Sequence, residues 1–381
     1  MAVQRKSWQD RQLRGRSASQ LLRSWVSGAV GQRRVLTGGL GQGPSAPKKT
    51  YVPEEIEFRT KPQIALVLIE RALANGIRVS AWTFDEFYGR DGLFLDGLHS
   101  RGQVFVAEIP NNFHGWVQEP IVLRTEPKRP AKRGRKKRYP RLARGRPSCE
   151  VRNLLMYSPV FREQSWQRYR IKDTDRGPEV WEVKWAVFWR KDGAGLPTRR
   201  HCLIVARNVL TGEIKYFLSN RVPGERNPVT GQVVTLRWLL RVAFGRWSIE
   251  SCFREGKEEL GLDHYEVRGW RCVHRHFFVT QVSHLFCARV RQEYDAAPGD
   301  HVDRITLEQA RSATNVWLAS MDLPQRCQRQ QFQREREKQQ YYQHRSQQAR
   351  TSHTKSRIRE LTALGIDVDR IKSCLVDTHT L

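Results

Sequence analysis

No pair of cysteines two residues apart occurs anywhere in this chain of 381 residues. Its seven cysteines sit singly at 149, 202, 252, 272, 287, 327 and 374. That absence removes the zinc ribbon, and an odd number of scattered thiols does not make a disulfide scaffold. Reduced thiols in a cytoplasm are the expectation. Long hydrophobic runs are lacking too. None is long enough to cross a bilayer, and the opening MAVQRKSWQDRQ has no apolar h-region. Acid is scarce beside base: 39 Asp and Glu face 67 Lys and Arg, for a net charge of +28. Between 127 and 148, in PKRPAKRGRKKRYPRLARGRPS, there is no acidic residue at all. So large a field is more than an acidic small molecule needs. It suits polyphosphate, because each cation on a phosphate releases a condensed counterion. DNA or RNA is therefore the expected partner.

What is present is a globular composition, 39% hydrophobic with twelve Trp, and a length sufficient for two or three domains. Residues 1–50 are basic, loosely periodic and end in the linker-like TGGLGQGPSAPKK. From Tyr51 the texture changes. TKPQIALVLIERALANG has a capping Thr60, an early Pro62, an apolar stripe and a terminating Gly76, which predicts a helix with both end signals. IRVSAWTFDEFYG alternates as a strand up to Asp85. A short helix (DGLFLDGLHSRG) and a second strand (QVFVAEIP) follow. That order predicts an α/β sheet with parallel character, in which sites form at the carboxyl ends of strands.

The pattern then breaks. The acid-free run reads as an extended, solvated loop, with Lys132, Arg133, Arg135, Lys136, Lys137 and Arg138 as phosphate contacts. Strand-like segments at 180–190, 200–209 and 213–221 come next, the last two joined by the turn signal LTGE. A mostly β region thus separates the α/β segment from later helices. From Val233 the chain turns helical, and after Pro324 a Gln- and Arg-rich tail is helical or disordered.

The helix around RWSIESCFREGKEELG carries the sharpest signal. At 100° per residue, Arg246, Glu250 and Lys257 fall within about 60° of one another. Ile249, Phe253 and Leu260 make an apolar stripe to one side. A carboxylate set between cations suits phosphoryl transfer, in which acids hold Mg²⁺ and cations hold phosphates. Asp85 and Glu250 could share such a site. Glu250 and Arg254 also make an ordinary i,i+4 surface pair.

Residues 51–114 and 200–290 resemble DDE-type insertion-sequence transposases, the branch with a Tyr–Arg–Glu–Lys signature. In that signature three residues separate Arg from Glu and six separate Glu from Lys, and Arg246, Glu250 and Lys257 fit. The Tyr position holds Ala243, with Phe244 next to it. TFDEFYG is similar to the segment that bears the family's second Asp. TGEIKYFLSN, GLDHYEVRGW and the C-terminal ARTSHTKSRIRELTALG also resemble the family. The resemblance implies a ribonuclease H-like α/β core interrupted by a β-rich insertion, with a basic tail. It implies Asp85 and Glu250 as catalytic acids and metal ligands, and Arg246, Lys257 and Arg254 as DNA contacts. It implies two Mg²⁺ (or Mn²⁺) ions, double-stranded DNA as transposon ends and target, a homodimer as a candidate assembly, no membrane, and a bacterial, nucleoid-associated cytoplasmic setting.

The expected domains are 1–50, an atypical basic segment; 51–114, the first part of the core; 115–232, the basic loop and β insertion; 233–320, the helical second part; and 321–381, the tail. The family's first Asp is missing from this pattern. Only Asp10 precedes Asp85, and SWQDRQL is no buried strand. Codons allowed for Trp8–Gly15, read one nucleotide later, can encode a stretch similar to one that follows the first Asp in the family. The expectation is a truncated or frameshifted chain with defective catalysis, and a non-catalytic DNA-binding protein is the alternative. Cys272, His274, His276, His284 and Cys287 suit no common zinc spacing. Trp181, Trp185 and Trp189 share one strand face, as β core or as a stacking row.

Overall fold

A computed structural model describes residues 52–53, 56–126, 138–143, 147–296 and 305–374. It divides into two compact units. One is built on a sheet and runs from Arg78 to Arg246, with Ser356–His379 added from the chain's end. The other is helical and joins the residues up to Ile77 to Trp247–Lys355.

The first helix, α1 (Lys61–Ala74), forms where its end signals predict. Thr60 caps it with a reciprocal capping box to Gln63, Pro62 stands in the first turn, and Gly76 follows at φ 76°. A positive φ there is open to glycine at no steric cost, so the chain reverses after the last turn.

The sheet begins with β1 (Trp82–Phe84), shorter than the alternation from Val79 suggests. It leads into α2 (Glu86–Gly89) and α3 (Gly92–Ser100), then β2 (Phe105–Ile109). β1 and β2 are parallel, with Phe84 opposite Ala107. The two helices form the crossover that parallel pairing requires. Phe94, Leu95 and Leu98 of α3 are buried, and the Phe94 ring meets Phe84 edge-on at 4.8 Å.

Short strands β3 (His114–Trp116), β4 (Val122–Leu123), β5 (Arg141–Leu142) and β6 (Cys149–Glu150) precede helices α4 (Val151–Tyr157) and α5 (Pro159–Arg162). Then come β7 (Gln167–Thr174), the long β8 (Gly177–Lys191), β9 (Pro197–Asn208) and β10 (Ile214–Ser219). The sheet runs β1-β2-β10-β9-β8-β3-β6, with β7 beside the first half of β8. β10 is antiparallel to β2, so the β-rich insertion extends the α/β pair as one mixed sheet. The LTGE turn joins β9 to β10 as expected. The Asn208 side chain accepts from the Leu210 and Thr211 amides, and Gly212 adopts φ 71°.

Helix α6 (Leu236–Gly245) lies on one face of this sheet. Leu239, Leu240 and Ala243 pack with Val106, Trp181, Val183, Ile204 and Phe217 in one core. Each buried Leu, Val, Ile or Phe of this set contributes about 1.5–3 kcal/mol relative to exposure, and register holds because a one-residue slip would turn this set outward. The helix expected from Val233 is interrupted at Arg246, and α7 (Trp247–Leu260) begins the other unit.

In the helical unit, α7, α8 (Trp270–Ala296) and α9 (Leu307–Ser320) pack on one another. The tail forms α10 (Gln325–Ala363), a helix of 39 residues that settles the choice between helix and disorder over that span. Among the described residues β11 (Lys372–Ser373) closes the chain by pairing parallel to β7. The fold is a mixed α/β architecture consistent with a ribonuclease H-like core carrying added strands and C-terminal helices.

Candidate active site

Asp85 follows β1 directly, at the carboxyl end of the parallel pair. It is the N-cap of α2, and its Oδ1 accepts the Tyr88 amide at 3.3 Å. Burial raises the Tyr88 phenol's pKa, and the Asp85 carboxylate raises it further. Glycine at 89 is explained by the close approach of α2 to β2: a Cβ there would collide with the Glu108 carbonyl oxygen. Gly92 leaves room for the guanidinium of Arg190, which is buried and pairs with Asp96 at 2.7 Å. These two glycines are packing positions.

Since Phe84 lies opposite Ala107, the next residues along the two strands, Asp85 and Glu108, are neighbours at the same sheet end. Sequence patterning does not single out Glu108. It is one polar residue in an apolar strand, and its meaning comes from partners distant in the chain. Its Oε1 meets Lys215 Nζ at 3.2 Å, and its Oε2 faces Arg246 Nη2 at 3.9 Å. So Arg246, at the C-terminus of α6, stands over the carboxyl end of β2 in the same unit as Asp85.

Glu250 lies in the first turn of α7 and Lys257 in its last turn, both in the helical unit. Arg254 and Lys257 are exposed and Glu250 is half-buried. Arg246 directly precedes this helix as the C-cap of α6, with helical dihedrals of φ −54° and ψ −36°. The apolar stripe differs from expectation. Phe253 is 45% exposed, whereas Gly256 is buried against Leu262. The helix turns its small residue inward, which lets its backbone approach the chain that follows.

Of the basic loop, Arg138 is described and is exposed. Lys132, Arg133, Arg135, Lys136 and Lys137 lie outside the described residues, as does Asp10. In the histidine-rich helix, His274 Nδ1 is 2.8 Å from the Trp270 carbonyl and His276 Nε2 is 2.9 Å from that of Gly261. His284 is buried and stands 3.9 Å from Glu255. Among the described residues no three His, Cys, Asp or Glu side chains gather as a metal site. Asp85 still offers hard carboxylate oxygen, the donor Mg²⁺ takes, and Mg²⁺ commonly uses only one or two carboxylates with water and phosphate completing its shell. Trp181 belongs to the core and packs on Phe244 at 4.9 Å, while Trp185 and Trp189 are half-buried.

A parallel strand pair with an acid at its carboxyl end is where α/β folds place their sites. Residues 5–178 match the family described as DDE superfamily endonuclease. The family supports a transposase or nuclease role, a DNA substrate and the use of divalent metal ions. No curated protein matches the chain. The match contains Asp85 and ends ahead of Glu250. It begins well before Tyr51 and takes in Asp10, so it includes residues that the texture of the sequence sets outside the family frame. Among the described residues no helix is long and apolar enough to cross a membrane.

Proposed function

We propose that this chain is a transposase of the insertion-sequence type, built for metal-dependent cleavage and joining of DNA ends, and that its own cleavage activity is low. The observation that supports the reading is Asp85 at the end of β1, inside the stretch that matches the family. Asp85 and Glu250 would hold the ions, and Arg246, Arg254 and Lys257 the phosphates. When bound, divalent ions supply Lewis acidity and an activated water or 3′-hydroxyl for in-line attack. The chain's residues orient the DNA, neutralise phosphate charge and hold the strand end, and no covalent enzyme intermediate is needed.

Low activity is expected because no acid before Asp85 sits in a strand-like context. With one carboxylate fewer, ions are held weakly. The test is Mg²⁺-dependent nicking and joining of end-containing DNA by the purified chain, beside Asp85→Asn and Asp10→Asn. Near-background rates in all three support a defective copy. Robust cutting that Asp85→Asn abolishes overturns the defect and keeps the family reaction. Loss with Asp10→Asn as well would identify the first acid.

A second reading is a DNA-binding protein without catalysis. It is favoured by the excess of 67 Lys and Arg over 39 Asp and Glu, which suits DNA whether or not metal is bound. The two readings part on whether metal changes the DNA product. Binding that weakens steeply with salt is expected under both.

A further inference from the structure

We propose that Glu108 is a positioning residue that aims Arg246 at a DNA phosphate. The proposal rests on the reading of Arg246 as a phosphate contact and adds the group that sets its direction.

The geometry is specific. Glu108 gives one carboxylate oxygen to each of two cations, Lys215 at 3.2 Å and Arg246 at 3.9 Å. Its side chain is 19% exposed, Arg246's is 19% and Lys215's is 25%. All three therefore sit at the border of the sheet's core, where neighbours restrict rotamers, and still meet solvent. They come from three elements: β2, β10 and the end of α6. Phe217 lies opposite Glu108 on β10, and Lys215 is two residues before it, on the same face by alternation. That face carries the α6 core, which delivers Arg246.

A long cationic side chain loses about 2 kcal/mol of rotamer freedom when fixed on a ligand. A carboxylate that already restricts it lowers that loss at the moment of binding. Glu213 also meets Lys215 at 3.6 Å, so two carboxylates face two cations here, and the attraction for phosphate comes from the chain's net charge of +28. The bland alternative is that Glu108 only offsets like-charge repulsion between Lys215 and Arg246. The two roles have opposite consequences. A neutralising Glu108 weakens DNA binding by its charge, and its removal tightens the complex. A positioning Glu108 strengthens one contact, and its removal loosens the complex.

The experiment measures binding of the full chain to duplex DNA over a range of salt, for the parent, Arg246→Gln, Glu108→Gln and the double variant. Arg246→Gln should weaken binding roughly threefold to tenfold and lower the salt slope by about one, because one phosphate is no longer neutralised. Glu108→Gln should weaken binding and lower the slope in the same direction, and the double variant should be no weaker than Arg246→Gln alone. Unchanged or tighter binding by Glu108→Gln, or effects that simply add, overturns the proposal. An Arg246→Gln variant that binds like the parent overturns the phosphate contact itself, and the proposal with it. Glu108→Asp serves if Glu108→Gln melts early. It keeps the charge but is one methylene shorter, and should also loosen binding with a reduced slope; parent-like binding overturns the idea.

Discussion

The sheet unit and the helical unit use the same chain in opposite ways. In the sheet unit Leu203, Ile204, Val205 and Ala206 are all fully buried in β9, flanked by β8 and β10. Buried on both faces, the strand reads as a continuous apolar run. In the helical unit Phe278, Val279, Val282 and Phe286 of α8 are each close to half exposed or more. α10 up to Lys355 is polar nearly all round, and the helix's one buried residue, Leu361, falls in the part that belongs to the sheet unit. A helix of that kind leans on side-chain pairs along its own length. Gln333–Glu337, Glu335–Gln339 and Tyr341–Arg345 are such pairs, and Ser312 of α9 reaches Glu335 at 2.6 Å. One unit is specified by what it hides. The other is specified by what it presents, and in α10 that is mainly positive charge and amide groups.

The contrast is broken most directly by cutting side chains. Ile204→Ala should destabilise the sheet unit by about 2–5 kcal/mol, from the transfer energy forgone and a cavity that cannot collapse. Val282→Ala, on the exposed face of α8, should stay within about 0.5 kcal/mol. Denaturant unfolding of both variants checks the pair, and similar destabilisation in the two would mean that α8 is covered in solution.

Acid sharpens the comparison next. Burial depresses the His201 pKa to about 4, so the folded sheet unit keeps this ring neutral. The unfolded chain binds a proton there from about pH 6.5 downward. Stability from this group is therefore complete above about 6.5 and lost as pH falls towards 4, by up to about 3 kcal/mol. His201→Phe should flatten that part of the stability profile. His284, in the helical unit, is likewise depressed to about 4 by burial and then by Arg291. A His284→Gln variant shows whether both units soften in the same window.

The smallest expected effect is at a cap. Thr60→Ala removes the side-chain acceptor for the Gln63 amide and should cost about 1 kcal/mol. Reduced hydrogen-exchange protection confined to the first turn of α1 would locate it.

Parts of both units were legible in the sequence, because their determinants are local or periodic. Thr60, Pro62 and Gly76 mark α1, and alternation marks β8. The turn around Gly212 marks the β9–β10 hairpin. What was illegible depends on partners far along the chain. In Gln167–Thr174 only Tyr169 and Ile171 alternate with Arg168, Arg170 and Lys172, a signal too short to stand out until the segment pairs with β8. Nothing near Glu108 announces Lys215 or Arg246. The break at Arg246 falls inside one apolar-periodic stretch, and only packing on the sheet ends α6 there. Phe253 continues a helical stripe on paper, yet it is largely exposed while Gly256 is the buried residue of the helix. Asp85 was read at the end of its strand and does follow β1, while Glu108 beside it was not foreseen.

The pairing of β11 with β7 also has a bearing on biogenesis. Leu361, Ile366 and Val368 pack on Val180, and Cys374 joins the buried cluster beneath α6. These residues leave the ribosome long after the strands they cover. The nascent sheet must therefore wait with an uncovered flank until this segment has been made. A premature stop just before this segment would release a chain with its oily side open, ready to be bound by a chaperone or cleared by a protease.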